Sequence, residues 1–303
     1  MASAHLPPIG LLFPLGGPVP SDLIIGRDGE IDAVLHQLRE GISTLLAGPR
    51  RIGKTTVCNE VCRRLTEQGA MIVKVEVPER ATSADLLHQL VDACSSLHVP
   101  RAHDTVEVLR PVVERLLADA GIPLDLRALT PKRRAESMRT VLSLPSFIAR
   151  RCDRPVLFFL DELQRVAGYE DGGAVLTDLM DLYAGHEKVV VLVDGSDERT
   201  FADLLGPPIH FGKLVDRIPL PTTIPDRVWR QPLTERFAAA GLRLDERQRE
   251  AIIAFGAGRP YDTIAAARHT ALTARRLGST AITDFDVQMG LDAARRHLED
   301  DGA

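Results

Sequence analysis

The stretch GPRRIGKTT, Gly48 to Thr56, brackets four residues with two glycines and follows the second with a lysine and two threonines. It satisfies G-x-x-x-x-G-K-[ST] in full, from Gly48 through Pro49, Arg50, Arg51, Ile52, Gly53 and Lys54 to Thr55. Each part has its own physical reason. Glycines admit backbone angles that other residues resist, so amide N–H groups can turn inward around phosphate oxygens. A helix starting near Lys54 adds its positive end and its free N–H groups. Lys54 is expected to reach the β- and γ-phosphates of a nucleotide. Thr55 is expected to offer its hydroxyl to Mg²⁺, and Thr56 to stand on the α-phosphate side. Arg50 and Arg51 occupy the free positions of the loop. Solvent, phosphate and a neighbouring subunit are all open to them, with solvent the default.

A second set of chemical groups follows an apolar run. In VLFFLDELQ, Val156 to Gln164, a buried strand delivers Asp161 and Glu162 to its carboxyl end. Ligands in open α/β sheets bind at that end of the strands. Asp161 is therefore expected to approach the metal that Thr55 holds, through water, since Mg²⁺ keeps several waters. Glu162 is placed to orient or deprotonate a water for attack on the γ-phosphate. Alone, the two acids would read as a solvated strand-to-helix corner with Asp161 as a cap. The phosphate loop upstream makes the metal-and-water reading the stronger one. Gln164 is either a polar neighbour of the site or an exposed residue.

The elements that must position these groups alternate. Ser43–Ala47 reads as a short buried strand, and KTTVCNEVCRRLTEQG as a helix closed by Gly69. MIVKVEVP reads as a strand with Val73, Val75 and Val77 on one face. Helices are expected over 83–98, 104–119 and 136–151. The loop between the last two carries a basic cluster, Lys132, Arg133 and Arg134, read as a solvated turn. RPVLFFLDEL and KVVVLVDGS read as central strands buried on both faces. GGAVLTDLMDLYAG reads as a helix between them, DERTFADLLG as a short helix after them, and DRIPLP as the last strand. This alternation predicts a parallel sheet flanked by helices. After Pro221 only helices are expected, over 225–240, 245–256, 260–277 and 283–298. The expected organisation is an extended N-terminal segment over 1–23, a core domain over 24–221 and a small all-helical domain over 222–303.

Composition narrows the function classes. Hydrophobic residues make up 45% and charged residues 26%, ordinary values for a globular chain. Aromatics at 4% are too few for a base-stacking platform. A net charge of -5 does not indicate nucleic acid as a partner, although a local basic face stays open. Cys58 and Cys62 stand one helical turn apart without further ligands nearby, and read as packed thiols rather than a metal pair. The N-terminal residues are broken by Pro and Gly and carry no positive n-region, so no signal peptide is expected. No run approaches the ~20 apolar residues of a membrane span. The expectation is a cytoplasmic protein with no membrane partner.

Taken together, these motifs resemble a known family. IIGRDGEIDAVLHQL, 24–38, looks like the hydrophobic–Gly-Arg–x–x–Glu box that precedes the phosphate loop in AAA+ ATPases. With GPRRIGKT, the chain looks most like the archaeal-type ATPases of the STAND class (signal-transduction ATPases with numerous domains), relatives of the origin-recognition ATPases. The resemblance covers about 24–275. It implies an α/β P-loop NTPase fold followed by a helical lid, with ATP and Mg²⁺ as cofactors. It implies that Ile25, Gly26 and Arg27 lie near the base and ribose. It implies a γ-phosphate sensor at Ser196, beside Asp194, though many family members have Asn there. The same residues also suit a plain strand-end turn. LVDRIPLP resembles the segment whose arginine reaches an adjoining subunit's nucleotide, and Arg217 is the matching residue; a surface ion pair is the other reading. FGAGRPYDTI resembles the Gly-x-Pro element of the lid, with Pro260 on the adenine side, and Gly258 and Pro260 equally suit the end of one helix and the start of the next.

The chain departs from that family in ending soon after the lid, so any output is expected from a partner protein, from self-assembly or from the ATPase body. The reading is an ATP- and Mg²⁺-binding ATPase acting as a switch or motor, with closing of the lid, water attack aligned by Glu162, and lid release. Two alternatives stand beside it: a binding switch with negligible turnover, and a DNA-associated ATPase of replication, transposition or defence. A kinase fits less well, because the Asp-Glu pair suits water attack.

Overall fold

The computed structural model describes residues 6–100, 106–195 and 211–302. Its strands are β1 (Thr44–Ala47), β2 (Met71–Glu76), β3 (His98–Pro100), β4 (Val106–Val108), β5 (Val156–Asp161), β6 (Val189–Gly195) and β7 (Asp216–Pro219). Among the described residues the helices are α1 (Ile9–Leu12), α2 (Asp28–Arg39), α3 (Lys54–Glu67), α4 (Ser83–Ser95), α5 (Arg110–Asp119), α6 (Pro131–Leu142), α7 (Leu144–Cys152) and α8 (Gly172–Tyr183), and then α9 (Asp226–Ala239), α10 (Glu246–Gly256), α11 (Pro260–Arg276) and α12 (Asp284–Gly302). Two compact units emerge, each with its own apolar core. One draws on Glu30–Gly48 and Val57–Pro219, the other on Met1–Gly29, Pro49–Thr56 and Leu220–Ala303.

The first unit is built on a parallel sheet in the order β2-β5-β6-β1-β7. β1 and β5 are buried along their whole length, which is why they read as unbroken apolar runs. β2, at one edge, alternates: Met71, Val73 and Val75 are buried while Lys74 and Glu76 are exposed. Register places Glu76 beside Asp161, Asp161 beside Asp194, and Asp194 beside Leu46. One strand, β6, thus separates the strand that enters the glycine-rich loop from the strand that carries the acids. α4 opens on a capping box between Thr82 and Asp85. Gly69, at φ 93, ends α3 in the left-handed conformation that glycine adopts freely.

Three local expectations are corrected here. Periodicity over 104–119 predicts one helix, but β4 pairs antiparallel with β3, and α5 begins only at Arg110, with Pro111 in its first turn. The helix expected over 136–151 is two helices meeting at Ser143, where Pro145 cannot continue the hydrogen-bond ladder. The first of them starts earlier, at Pro131, with the Thr130 hydroxyl accepting from the Arg133 amide. The basic cluster Lys132, Arg133 and Arg134 therefore lies at the start of a helix rather than in a loop. The helix expected at DERTFADLLG falls outside the described residues.

The second unit buries Trp229, Phe237, Leu233, Ile252 and Ile253 among α9 to α12. The segment before Ile24, expected to be extended on the surface, is folded into this core. It forms α1 and a 3₁₀ turn at Ser21–Leu23, and Phe13 is fully buried, its ring 5.1 Å from that of Phe237. Ile9 and Phe13 supply apolar area that an extended surface path would leave in water. A capping box between Asp245 and Gln248 starts α10.

Close approach of α10 and α11 depends on Gly256. A Cβ there would stand 2.8 Å from the Thr263 Cα and closer still to its hydroxyl. Gly256→Ala is expected to lower the stability of the helical unit by about 1–3 kcal/mol, the scale of forced overpacking. Thermal melting checks this, and an unchanged midpoint would mean that α11 yields without cost.

Candidate functional site

In the second unit, the loop from Pro49 to Thr56 leads directly into α3. Arg51 and Gly53 both hold left-handed backbone, at φ 68 and φ 94. Only the glycine does so freely. Ile52 and Lys54 are buried, and the Lys54 ammonium donates to the Pro49 carbonyl at 2.9 Å, so the lysine arches back over its own loop. The first amides of α3 lack partners within the helix by the geometry of any helix start, and this end carries partial positive charge. The Thr56 hydroxyl accepts from the Val19 amide at 3.1 Å.

Beside the loop lies a pocket of about 440 Å³, counting its open mouth. Val19, Ile25, Ile52, Trp229, Pro260 and Ile264 supply apolar walls, and Arg27 and Arg236 also line it. Ile25 and Pro260, both expected near a base, are thus walls of one cavity. Gly26, at φ 60, passes so close to α9 that a Cβ would meet Ile224 at 2.7 Å and Val228 at 2.8 Å. Arg27 is 3% exposed. Its guanidinium donates to the carbonyls of Ile52 and Pro221, each at 2.9 Å. It braces the loop from behind while lining the cavity.

Several of these groups escape sequence reasoning. Arg236 is buried and donates to the Leu23 carbonyl. Desolvation pulls its pKa down to about 10, with the charge of Asp22 opposing. Trp229 donates its indole N–H to the Ile224 carbonyl at 3.3 Å. Both sit on α9, where a lone tryptophan in a helical run is the one available signal.

In the first unit, Asp161 ends β5 and is 6% exposed. Burial raises its pKa above the ordinary carboxylate value; Lys74 opposes this, while Glu162 and Glu76 add to it. The Lys74 ammonium is 3.9 Å from the Asp161 carboxylate, donates to the Asn59 side chain at 2.8 Å and lies 5.0 Å over the Phe159 ring. Glu162 follows in left-handed backbone at φ 58, and the Gln164 amide donates to its carboxylate. Gln164 is buried, so the open choice at that residue resolves to a polar neighbour of Glu162. Arg165 donates to the Val77 carbonyl at 2.7 Å and fastens the turn after β5 to the end of β2. Asp194 is 1% exposed at the end of β6. Burial, then the charges of Asp194 and Cys62, push the Cys58 thiol far up, and burial takes Cys62 up to about 12. Cys58 is buried and Cys62 partly so. Arg217 is exposed on the edge strand β7, and Ser196 lies outside the described residues.

The donors present fit a nucleoside triphosphate. A planar base suits the apolar cavity, and phosphates suit the N-terminal end of a helix and a buried ammonium. Mg²⁺ entering with phosphates needs only one or two protein oxygens, such as a threonine hydroxyl and a carboxylate.

Residues 23–205 match the AAA ATPase domain family. Among solved structures, the chain is similar to a Walker-type ATPase of Pyrococcus abyssi at 17% identity and a TM-score of 0.66, covering 96% of this chain and 78% of that one. It is similar to the ORC2 protein of Aeropyrum pernix in ADPNP–ADP complexes at 15% identity and 0.61, covering 93% and 71%. It is also similar to the ORC1 protein of the same organism in complex with DNA, at 17% and 0.60, covering 96% and 69%. At such identities the likeness is one of fold, and it bears out the AAA+ P-loop architecture read from the sequence. No curated protein matches the chain. No helix among the described residues is long and apolar enough to cross a membrane.

The raised pKa of Asp161 has a consequence for stability. An acid whose folded pKa lies above its unfolded value destabilises the fold while ionised; the penalty is complete above the folded pKa and gone below the unfolded one. Asp161→Asn is therefore expected to melt above the parent at pH 7, with the gap closing as the pH falls into the carboxylate range. Melting curves across pH check the sign, and a variant that melts lower at pH 7 contradicts it.

Proposed function

The chain belongs to the AAA ATPase family, and from that premise we propose that it is a Mg²⁺-dependent ATPase of the STAND type, a nucleotide-driven switch or motor working on a protein or nucleic-acid partner in the cytoplasm. The observation that carries this reading is an apolar cavity lined by Trp229, Ile25 and Pro260, opening against a glycine loop with a buried lysine. The ADPNP and ADP in the ORC2 structure support it. In this reading, residues 24–221 form the ATPase core, 222–303 the lid, and 1–23 a segment whose Pro14 and Val19 wall the base pocket.

Bound Mg²⁺ would draw charge from the phosphate oxygens. The chain's own residues do the rest. Gly48 to Thr56 supply the amides that hold the phosphates, and Lys54 neutralises the β- and γ-groups. Thr55 and Asp161 would hold the metal, Asp161 through water. Glu162 accepts the proton of the attacking water as the bond to the γ-phosphorus forms and ADP departs; Gln164, already bonded to that carboxylate, fixes its direction. Arg27 and Gly26 keep the base-side wall in place. Ser196 remains the candidate γ-phosphate sensor. Arg217, exposed on an edge strand, is the candidate finger toward a neighbouring copy. The ORC1–DNA structure favours DNA as a partner; the net charge of -5 does not.

Phosphate release and calorimetry with ATP and Mg²⁺ test the reading. Glu162→Gln is expected to keep nucleotide binding and lose about a hundredfold or more in turnover. Lys54→Ala is expected to lose binding. Equal release by Glu162→Gln and the parent removes Glu162 from the chemistry. Tight binding without Lys54-dependent turnover marks a binding switch instead.

A further inference from the structure

Arg51 stands in the middle of the phosphate loop with a backbone conformation that a side chain disfavours, φ 68. Its guanidinium carbon lies 5.0 Å from the centroid of the Tyr261 ring, over its face. Tyr261 is the second residue of α11, directly after the pocket-lining Pro260. Its ring is itself held. The hydroxyl is 3.2 Å from Nε2 of His297 on α12, and the two rings stack at 6.1 Å and 24°. His297 in turn packs on His269 at 5.3 Å. At the same helix start, Arg259 pairs with Asp262 at 2.6 Å. A cation over a fixed aromatic face is attracted by the ring quadrupole, on the scale that a left-handed residue costs.

We infer that Tyr261 is a positioning residue of the phosphate loop: its ring holds the Arg51 guanidinium, and thereby keeps the loop backbone in the form that admits a nucleoside triphosphate. This rests on the nucleotide reading above and adds to it a link between the loop and the start of α11. The stack assigns Arg51 a partner other than the solvent expected from the sequence. It also makes the loop's shape depend on where α11 begins, so a displacement of that helix reaches the phosphates through one side chain.

Hydrogen exchange on the full chain without nucleotide, followed by calorimetry with ADP and Mg²⁺, tests the inference. Tyr261→Leu is expected to speed exchange of the amides from Arg51 to Lys54 about threefold to tenfold and to weaken binding by a similar factor. Tyr261→Phe keeps the ring and loses only the hydroxyl, and is expected to behave as the parent in both. Arg51→Gly accepts the left-handed backbone without help, so Tyr261→Leu added to it is expected to change neither readout further. If Tyr261→Leu fails to fold, Arg51→Met breaks the same stack from the loop side and is expected to give the same rise in exchange. Parent-like exchange in the leucine variant, or in Arg51→Met where that variant stands in for it, overturns the inference. A leucine effect that persists undiminished in the Arg51→Gly background does so too. A loop that responds as expected in a parent protein showing no nucleotide heat upholds the stack and sinks the nucleotide reading instead.

Discussion

A buried guanidinium with its hydrogen bonds met is the constraint on which the loop depends. Arg27 is almost wholly out of water, and a charge in that position is costly unless its donors find partners. It spends them on the Ile52 carbonyl in the loop and the Pro221 carbonyl where the chain enters the C-terminal helices. The loop cannot shift without stranding a buried cation, and the cavity keeps its wall because the loop cannot shift. Gly26 follows from the same arrangement: the chain must pass hard against α9 to deliver Arg27, and no side chain fits there.

The sheet imposes a different constraint. Parallel register brings Glu76, Asp161 and Asp194 side by side at the carboxyl edge. At Asp161 burial raises the pKa, and the charges of Glu162 and Glu76 add to it. Lys74, on the same edge, offsets part of it.

Much of this is legible in the sequence, for reasons that are local. The loop motif, the acids closing an apolar strand and the helical periodicity after Pro221 each need only a short window. Asp161, Lys54, Ile25 and Pro260 are read that way. What escapes depends on distant chain segments meeting. Arg236 looks like any helix-surface arginine until Leu23 is placed beside it, and Tyr261 like a filler until Arg51 is. The N-terminal residues look extended because prolines and glycines interrupt them, whereas Phe13 needs a core that the C-terminal helices provide. The strand β4 is hidden inside a helical pattern because a run as short as Val106–Val108 has too few residues to show a period of two.

The single tryptophan of the chain, Trp229, is sunk in the core of one unit and absent from the core of the other. Its emission therefore follows the unfolding of the helical unit alone, whereas circular dichroism sums over both. Where the two signals part company under denaturant, the difference measures how independently the sheet and the C-terminal helices come undone.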